Sequence, residues 1–151
     1  FDHYKKLNYG FGTDGAASSN TLNPMEQARL FGLLGKYQDR NSAEYTAEEI
    51  WKHLMASHQA FPFGSGRMKE GAPADLVIWD LYQPDTFPFY SPISSILYSS
   101  NSQNVKYTMV AGEFLKYDGK LKMDTEALMK EAIRLQKELL ARGKGKAEVT
   151  Y

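Results

Sequence analysis

At Gly64 the hydrophobic pattern of the chain changes from helical to extended period, so the fold has to join helices to a sheet, an α/β combination. Upstream of that point, Asn23-Pro24 with Glu26 supplies an N-cap oxygen, a proline at N1 and a carboxylate at N3, and predicts a helix over residues 24–37. Its apolar positions Ala28, Leu30, Phe31, Leu33, Leu34 and Tyr37 read as one buried face. Gly32 and Gly35 read as places of close approach by another backbone. Thr46 and Glu49 make a second capping box, opening a helix that carries Ile50, Trp51, Leu54, Met55 and His58 at helical spacings until Pro62 stops it.

Downstream, residues 74–81 form the strongest strand signal, and Gly66 with Glu70-Gly71 brackets a turn before it. Residues 107–110 and 113–117 flank Ala111-Gly112, with Asp118-Gly119 following, which predicts a hairpin and a second turn. The stretch 83–104 is rich in Pro, Ser and aromatics and reads as loop with a short helix over 93–98. Asp124 caps a last helix running to about Arg142, with Leu128, Ala132, Leu135 and Leu139 on one stripe and Gly143 at its C-cap. Such a helix needs a surface to pack on.

Composition removes several function classes. Eighteen basic residues balance eighteen acidic ones in a chain of 151, leaving no net field to draw in nucleic acid or an anionic membrane. No apolar run approaches the roughly 18 residues of a membrane helix. With no cysteine, the strong metal ligands are His, Asp and Glu, and a cytoplasmic, reducing location is the expectation. The basic residues Lys144 and Lys146 read as a solvated end.

Local motifs are sparse. Gly10-x-Gly12-x-x-Gly15 matches a dinucleotide fingerprint as a string, but that motif requires a helix opening at the third glycine, and the helix signal comes at Pro24. No Gly-x-Ser-x-Gly elbow frames a serine nucleophile. His3, His53 and His58 form no His-x-His or His-x-x-x-His pair, so no two are arranged locally to grip one metal, and each reads as a surface or partly buried residue. Asp14 stands just past the extended segment over residues 8–13 and before Gly15 and the small polar run 16–20, which reads as a loop. A carboxylate there is either an active group at a strand end or an Asx-turn cap.

The string Gly12-Thr13-Asp14-Gly15-Ala16-Ala17-Ser18-Ser19-Asn20, followed by Leu22-Asn23, Glu26 and Arg29-Leu30, resembles the end of the barrel in amidohydrolase-superfamily deaminases. The resemblance is closest to the 5′-methylthioadenosine/S-adenosylhomocysteine deaminases and related chlorohydrolases. Residues 66–77 are similar to that family's G-x-I-x-x-G-x-x-A-D-L-V segment, and Ser91-Pro92-Ile93, Met109-Val110-Ala111-Gly112-Glu113 and Asp118-Gly119 follow in family order. Residues 56–64 depart from the family's A-T-x-G-A-x-A-L-G, with Gln59 for glycine and Pro62 for alanine.

The resemblance implies the C-terminal part of a TIM-like (β/α)8 metallohydrolase barrel, part of a small β-sandwich domain and a closing helix. In that frame residues 1–7 end a barrel helix and 8–13 are the eighth strand. Residues 1–62 close the barrel, 63–123 supply strands of the small domain, 124–143 form the closing helix and 144–151 a tail. It further implies that Asp14 binds a divalent metal, commonly zinc, and exchanges protons during hydrolytic deamination of a purine nucleoside-type substrate. Ser18 and Asn20 would line the pocket mouth or cap the turn. The family's remaining ligands, a His-x-His and later histidines, and its glutamate acid/base have no counterpart in this sequence. The expectation is therefore a piece of a longer enzyme that is inactive alone, and that self-associates or lacks its N-terminal part. The alternative is a non-catalytic interaction or assembly module derived from the same fold.

Overall fold

The computed structural model describes residues 6–7, 9–59 and 66–143. Two compact units divide after Lys120: Phe1–Lys120 and Leu121–Tyr151. In the first unit, residues 9–15 stand in no helix and in no strand ladder. The expected strand over 8–13 is thus not formed among the described residues, Asn8 lying outside them, because an extended segment becomes a strand only where a neighbour takes its N–H and C=O groups. The run 16–20 is not wholly loop either: α1 (Ala16–Ser19) is one helical turn that follows Gly15.

Helix α2 (Pro24–Asp39) begins as its sequence dictates, with the Asn23 side chain accepting from Met25 N at 3.0 Å. It runs two residues past the expected end and stops where Arg40 turns left-handed at φ 50°. Glu26 does not close a capping box; its carboxylate accepts from Thr21 Oγ1 at 2.6 Å. The expected face is met at Ala28, which is buried, and at Phe31, which packs against the core, but not at the larger aliphatic positions. Ala28, Gly32 and Gly35 are buried, while Leu30, Leu33, Leu34 and Tyr37 stand about half exposed or more. The glycines admit side chains rather than backbone. A Cβ on Gly32 would lie 2.5 Å from Ile50 Cδ1 and 2.7 Å from Tyr98 Oη, and one on Gly35 would lie 2.7 Å from Tyr45 Cδ2.

Helix α3 (Ala47–Gln59) has the expected capping box: Thr46 N donates to Glu49 Oε2 at 2.9 Å, and Glu49 N donates to Thr46 Oγ1 at 3.3 Å. Pro62, the expected stop, lies outside the described residues. The backbone N–H of Thr46, ahead of its hydroxyl and of Lys52 and His53, holds the Glu49 carboxyl below its usual value of 4.5. A depressed folded pKa contributes stability that is complete above the unfolded pKa and is lost as pH falls through the folded one. Glu49→Gln, which keeps an acceptor but removes the charge, is therefore expected to cost about 0.5 kcal/mol near pH 6. The cost should shrink as pH falls through the lowered folded pKa and the wild-type carboxyl takes up its proton. Urea titrations at several pH values check this, and a cost that stays constant with pH would refute it.

Helix α4 (Pro92–Tyr98), capped by Ser91 Oγ accepting from Ser94 N, packs on α2 and α3. The core comprises Ala28, Tyr45, Ala47, Ile50, Leu54 and Leu97, with Phe11, Phe31, Trp51 and Tyr98 around it. Arg29 binds α4 to α2 by donating from Nε to Leu97 O and from Nη2 to Ser100 O, both at 2.7 Å, meeting carbonyls left open at a helix C-terminus. The loop that leads to α4 is organised by Asn104, 2% exposed: its Oδ1 accepts from Asn101 N and its Nδ2 donates to Asp85 Oδ1 at 3.1 Å.

One four-stranded antiparallel sheet in the order β1-β2-β3-β4 follows, formed by β1 (Leu76–Trp79), β2 (Val105–Val110), β3 (Glu113–Tyr117) and β4 (Lys120–Leu121). No second sheet layer is present among the described residues. β1 is shorter than the expected 74–81, with a register shift between Ile78 and Trp79 against β2. Both turns fall where expected. Ala111 and Gly112 have φ 49° and 86°, and Asp118 and Gly119 have 46° and 77°, the positive values that two-residue hairpin loops require. Asp75 anchors the first turn, its Oδ1 accepting from Ala111 N at 2.7 Å.

In the second unit, Asp124 caps α5 (Thr125–Ala141) by accepting from Ala127 N at 2.9 Å, and Gly143, at φ 84°, follows the Arg142 C-cap. Arg134 pairs with Glu131 and Glu138 along the helix. The Leu128, Leu135 and Leu139 stripe is exposed.

Candidate functional site around Asp14

Residues 9–11 lie on α3, whose side chains bond their backbone. His53 Nδ1 donates to Tyr9 O at 3.0 Å, which fixes the tautomer with the proton on Nδ1, and the two rings stack at 3.9 Å and 6°. Phe11 N donates to Ser57 Oγ at 2.8 Å, and the same hydroxyl donates to Phe11 O at 3.0 Å. Tyr9 and Phe11 pack their rings on Phe31 of α2 at 5.6 and 5.2 Å. Burial, and secondarily the Glu49 carboxylate, push the Tyr9 hydroxyl above its ordinary range.

Past this anchored stretch the chain turns sharply. Asp14 is exposed, in the left-handed region at φ 59°, and its Oδ1 accepts from Gly15 N at 2.7 Å. That bond to the next residue's N–H leaves Oδ2 with no hydrogen bond among the described residues, so one carboxylate oxygen is tied and one is open. Ser18 and Asn20 are both exposed at the far end of α1, and no hydrogen bond among the described residues joins either to Asp14. Asn20 serves as the C-cap of α1 at φ 58°, its N–H donating to Ala16 O at 3.0 Å.

The dinucleotide reading loses its sterics. Gly12 and Gly15 have open space where a Cβ would stand, and only Gly10 of the three glycines is pressed against a neighbour. A helical turn does open at Gly15, but it ends at Ser19 and no laddered strand precedes it.

Asp14 suits a metal as a single anionic oxygen ligand. No group of three His, Asp or Glu that could hold an ion occurs among the described residues, and His3 lies outside them. A zinc site takes three or four protein ligands, so the rest of such a site must come from residues beyond this set. A cleft lined by Leu22, Glu26, Arg29, Trp79 and Ser100 lies elsewhere and does not include Asp14. No helix among the described residues is long and apolar enough to cross a membrane. The clamp formed by His53 and Ser57 was not legible in the sequence; their i, i+4 spacing on α3 is its only trace.

The sequence matches the amidohydrolase family over residues 3–115. The chain belongs to that family. It is 40% identical over 134 residues to the 5-methylthioadenosine/S-adenosylhomocysteine deaminase of Caldicellulosiruptor saccharolyticus, covering 87% of this chain and 31% of that protein. Against the enzyme of the same name from Thermotoga maritima it is 42% identical over 130 residues, covering 85% and 31%. Among solved structures, an adenosine deaminase of Xanthomonas campestris with bound zinc superposes with a TM-score of 0.83 at 26% identity, over 92% of this chain and 33% of that one. A mutant atrazine chlorohydrolase of Arthrobacter aurescens, complexed with zinc and atraton, gives 0.77 at 25% identity, over 85% and 30%. This amidohydrolase chain thus spans about a third of the length of the relatives it matches.

Proposed function

We propose that this chain is the C-terminal part of a metal-dependent amidohydrolase that hydrolytically deaminates a purine nucleoside of the S-adenosylhomocysteine or methylthioadenosine class. The observation that carries the reading is the 40–42% identity to deaminases over 85–87% of the chain, beside a family match over residues 3–115 that includes Asp14, an exposed carboxylate with one open oxygen. The triazine-type neighbours stand at about 25% identity, so deamination takes precedence over dechlorination. In this reading residues 1–62 close the barrel, 63–123 contribute to the small β-domain and 124–143 form the closing helix.

Asp14 would hold a divalent metal, zinc by analogy with the adenosine deaminase relative, together with ligands from outside this chain. The metal, when bound, lowers the pKa of the attacking water. Asp14 takes a proton from that water and returns it to the leaving nitrogen. The water oxygen joins the amidine carbon of the ring, the exocyclic C–N bond breaks, and ammonia departs. Ser18 and Asn20 border the pocket mouth. A cytoplasmic setting agrees with such a small-molecule substrate.

The test compares the longest product of the source reading frame with the 151-residue chain. The longer protein is expected to carry zinc and to release ammonia from methylthioadenosine or S-adenosylhomocysteine, whereas the chain alone does neither. A longer product that binds no metal and releases no ammonia would overturn the enzyme reading in favour of a non-catalytic assembly module.

A further inference from the structure

We infer that Ser57 and His53, two residues on one face of α3, are positioning residues that hold the backbone leading to Asp14 at the height the reaction requires; this rests on the reading of Asp14 given above.

Three observations converge on it. First, α3 side chains engage Tyr9 O, Phe11 N and Phe11 O. Second, Ser57 Oγ engages both polar groups of one residue, accepting from Phe11 N and donating to Phe11 O, so a single hydroxyl sets the distance of that backbone from the helix. His53 adds a second point of hold through the carbonyl and the ring of Tyr9. Third, Gly10 is pressed between these points: a Cβ there would lie 2.4 Å from Ser57 Oγ and 2.9 Å from Ser57 Cα. The close approach of segment and helix thus depends on a residue without a side chain at position 10 and a small hydroxyl at position 57.

Asp14 follows Phe11 by three residues, and its own bond to Gly15 closes the turn locally without tying it to another element. The clamp therefore holds the backbone three residues ahead of that carboxylate. A displacement of about 1 Å in a catalytic group can cost about 100-fold in rate. Loss of a residue that orients a metal ligand typically weakens metal binding by about 10–100-fold.

The experiment uses the full-length protein with Ser57→Ala, Ser57→Thr and Gly10→Ala. Chelator competition gives the zinc dissociation constant, steady-state kinetics give kcat per zinc-loaded site and KM, and amide exchange reports on Phe11. Ser57→Ala is expected to raise the zinc dissociation constant about 10-fold. It should lower kcat at least 10-fold with KM changed less than about twofold, and speed exchange at Phe11. Ser57→Thr, which keeps the hydroxyl, restores both constants to within about threefold. Gly10→Ala, with Ser57 intact, reproduces the loss. A structural role alone would lower melting temperature while leaving zinc affinity and kcat per loaded site in place, and that result would overturn the inference. Unchanged exchange at Phe11 in Ser57→Ala would overturn the clamp itself. A wild-type protein that neither binds zinc nor releases ammonia would sink the proposed function, a failure visible before any variant is made.

Discussion

In the full-length protein, Asp14→Asn is expected to lower kcat by about 1,000-fold, the middle of the range for losing a group that carries a proton in the transition state. Zinc affinity should fall with it, because an amide oxygen is a weak substitute for a carboxylate ligand. The fold should be untouched. Asn tolerates the left-handed φ of 59° as well as Asp does, and its Oδ1 can still accept from Gly15 N. The residue is exposed, so stability should change by no more than about 0.5 kcal/mol. Asp14→Ala would remove the same chemistry but add backbone strain, which makes the asparagine variant the cleaner probe. Retention of more than a tenth of wild-type kcat with full zinc content would show that Asp14 is only a turn residue.

The largest effect on stability is expected from Ile50→Ala, at about 4 kcal/mol. Ile50 is 1% exposed, and its Cδ1 reaches into the space left by Gly32, 2.5 Å from where a Cβ would stand. Truncation removes the apolar contact and leaves a void that the rigid helices α2 and α3 fill only partly. Such a loss approaches the whole stability of many single domains. Leu33→Ala on the outer face of α2, where the side chain is 52% exposed in this chain, should cost less than about 1 kcal/mol. Urea denaturation of both variants in the 151-residue chain compares them directly. Equal costs would mean that the core is not where the small-residue face of α2 puts it.

That face shows where the sequence could and could not be read. The starts of the longer helices were legible because a cap is a local contract between residues two or three apart: Asn23 with Met25 N, Thr46 with Glu49 and Asp124 with Ala127 N all bond as their spacing requires. The hairpin turns were legible for the same reason, since Ala111-Gly112 and Asp118-Gly119 need positive φ within the loop itself. Family membership was equally legible, carried by short strings in order along the chain.

The buried side of α2 was legible only in part. Leu30, Leu33, Leu34 and Tyr37 have the greater hydrophobic gain on burial, yet Ala28, Gly32 and Gly35 face inward, because Tyr45, Ile50 and Tyr98 arrive from other elements and need the room. The extended stretch before Asp14 read as a strand because period and composition do not say whether a neighbouring strand is present. Its actual supports, His53 and Ser57, are more than forty residues away in the chain, with Ser57 separated from Phe11 by 46. Asn104 likewise looked like one polar residue among many in a loop, and only folding buries it against Asn101 and Asp85. The sequence by itself determined where the longer helices begin, where the chain reverses, which family it belongs to and which carboxylate stands at the end of the first segment. The tertiary structure decided which faces are buried and what holds that carboxylate's backbone, because those depend on groups brought together only when distant segments pack.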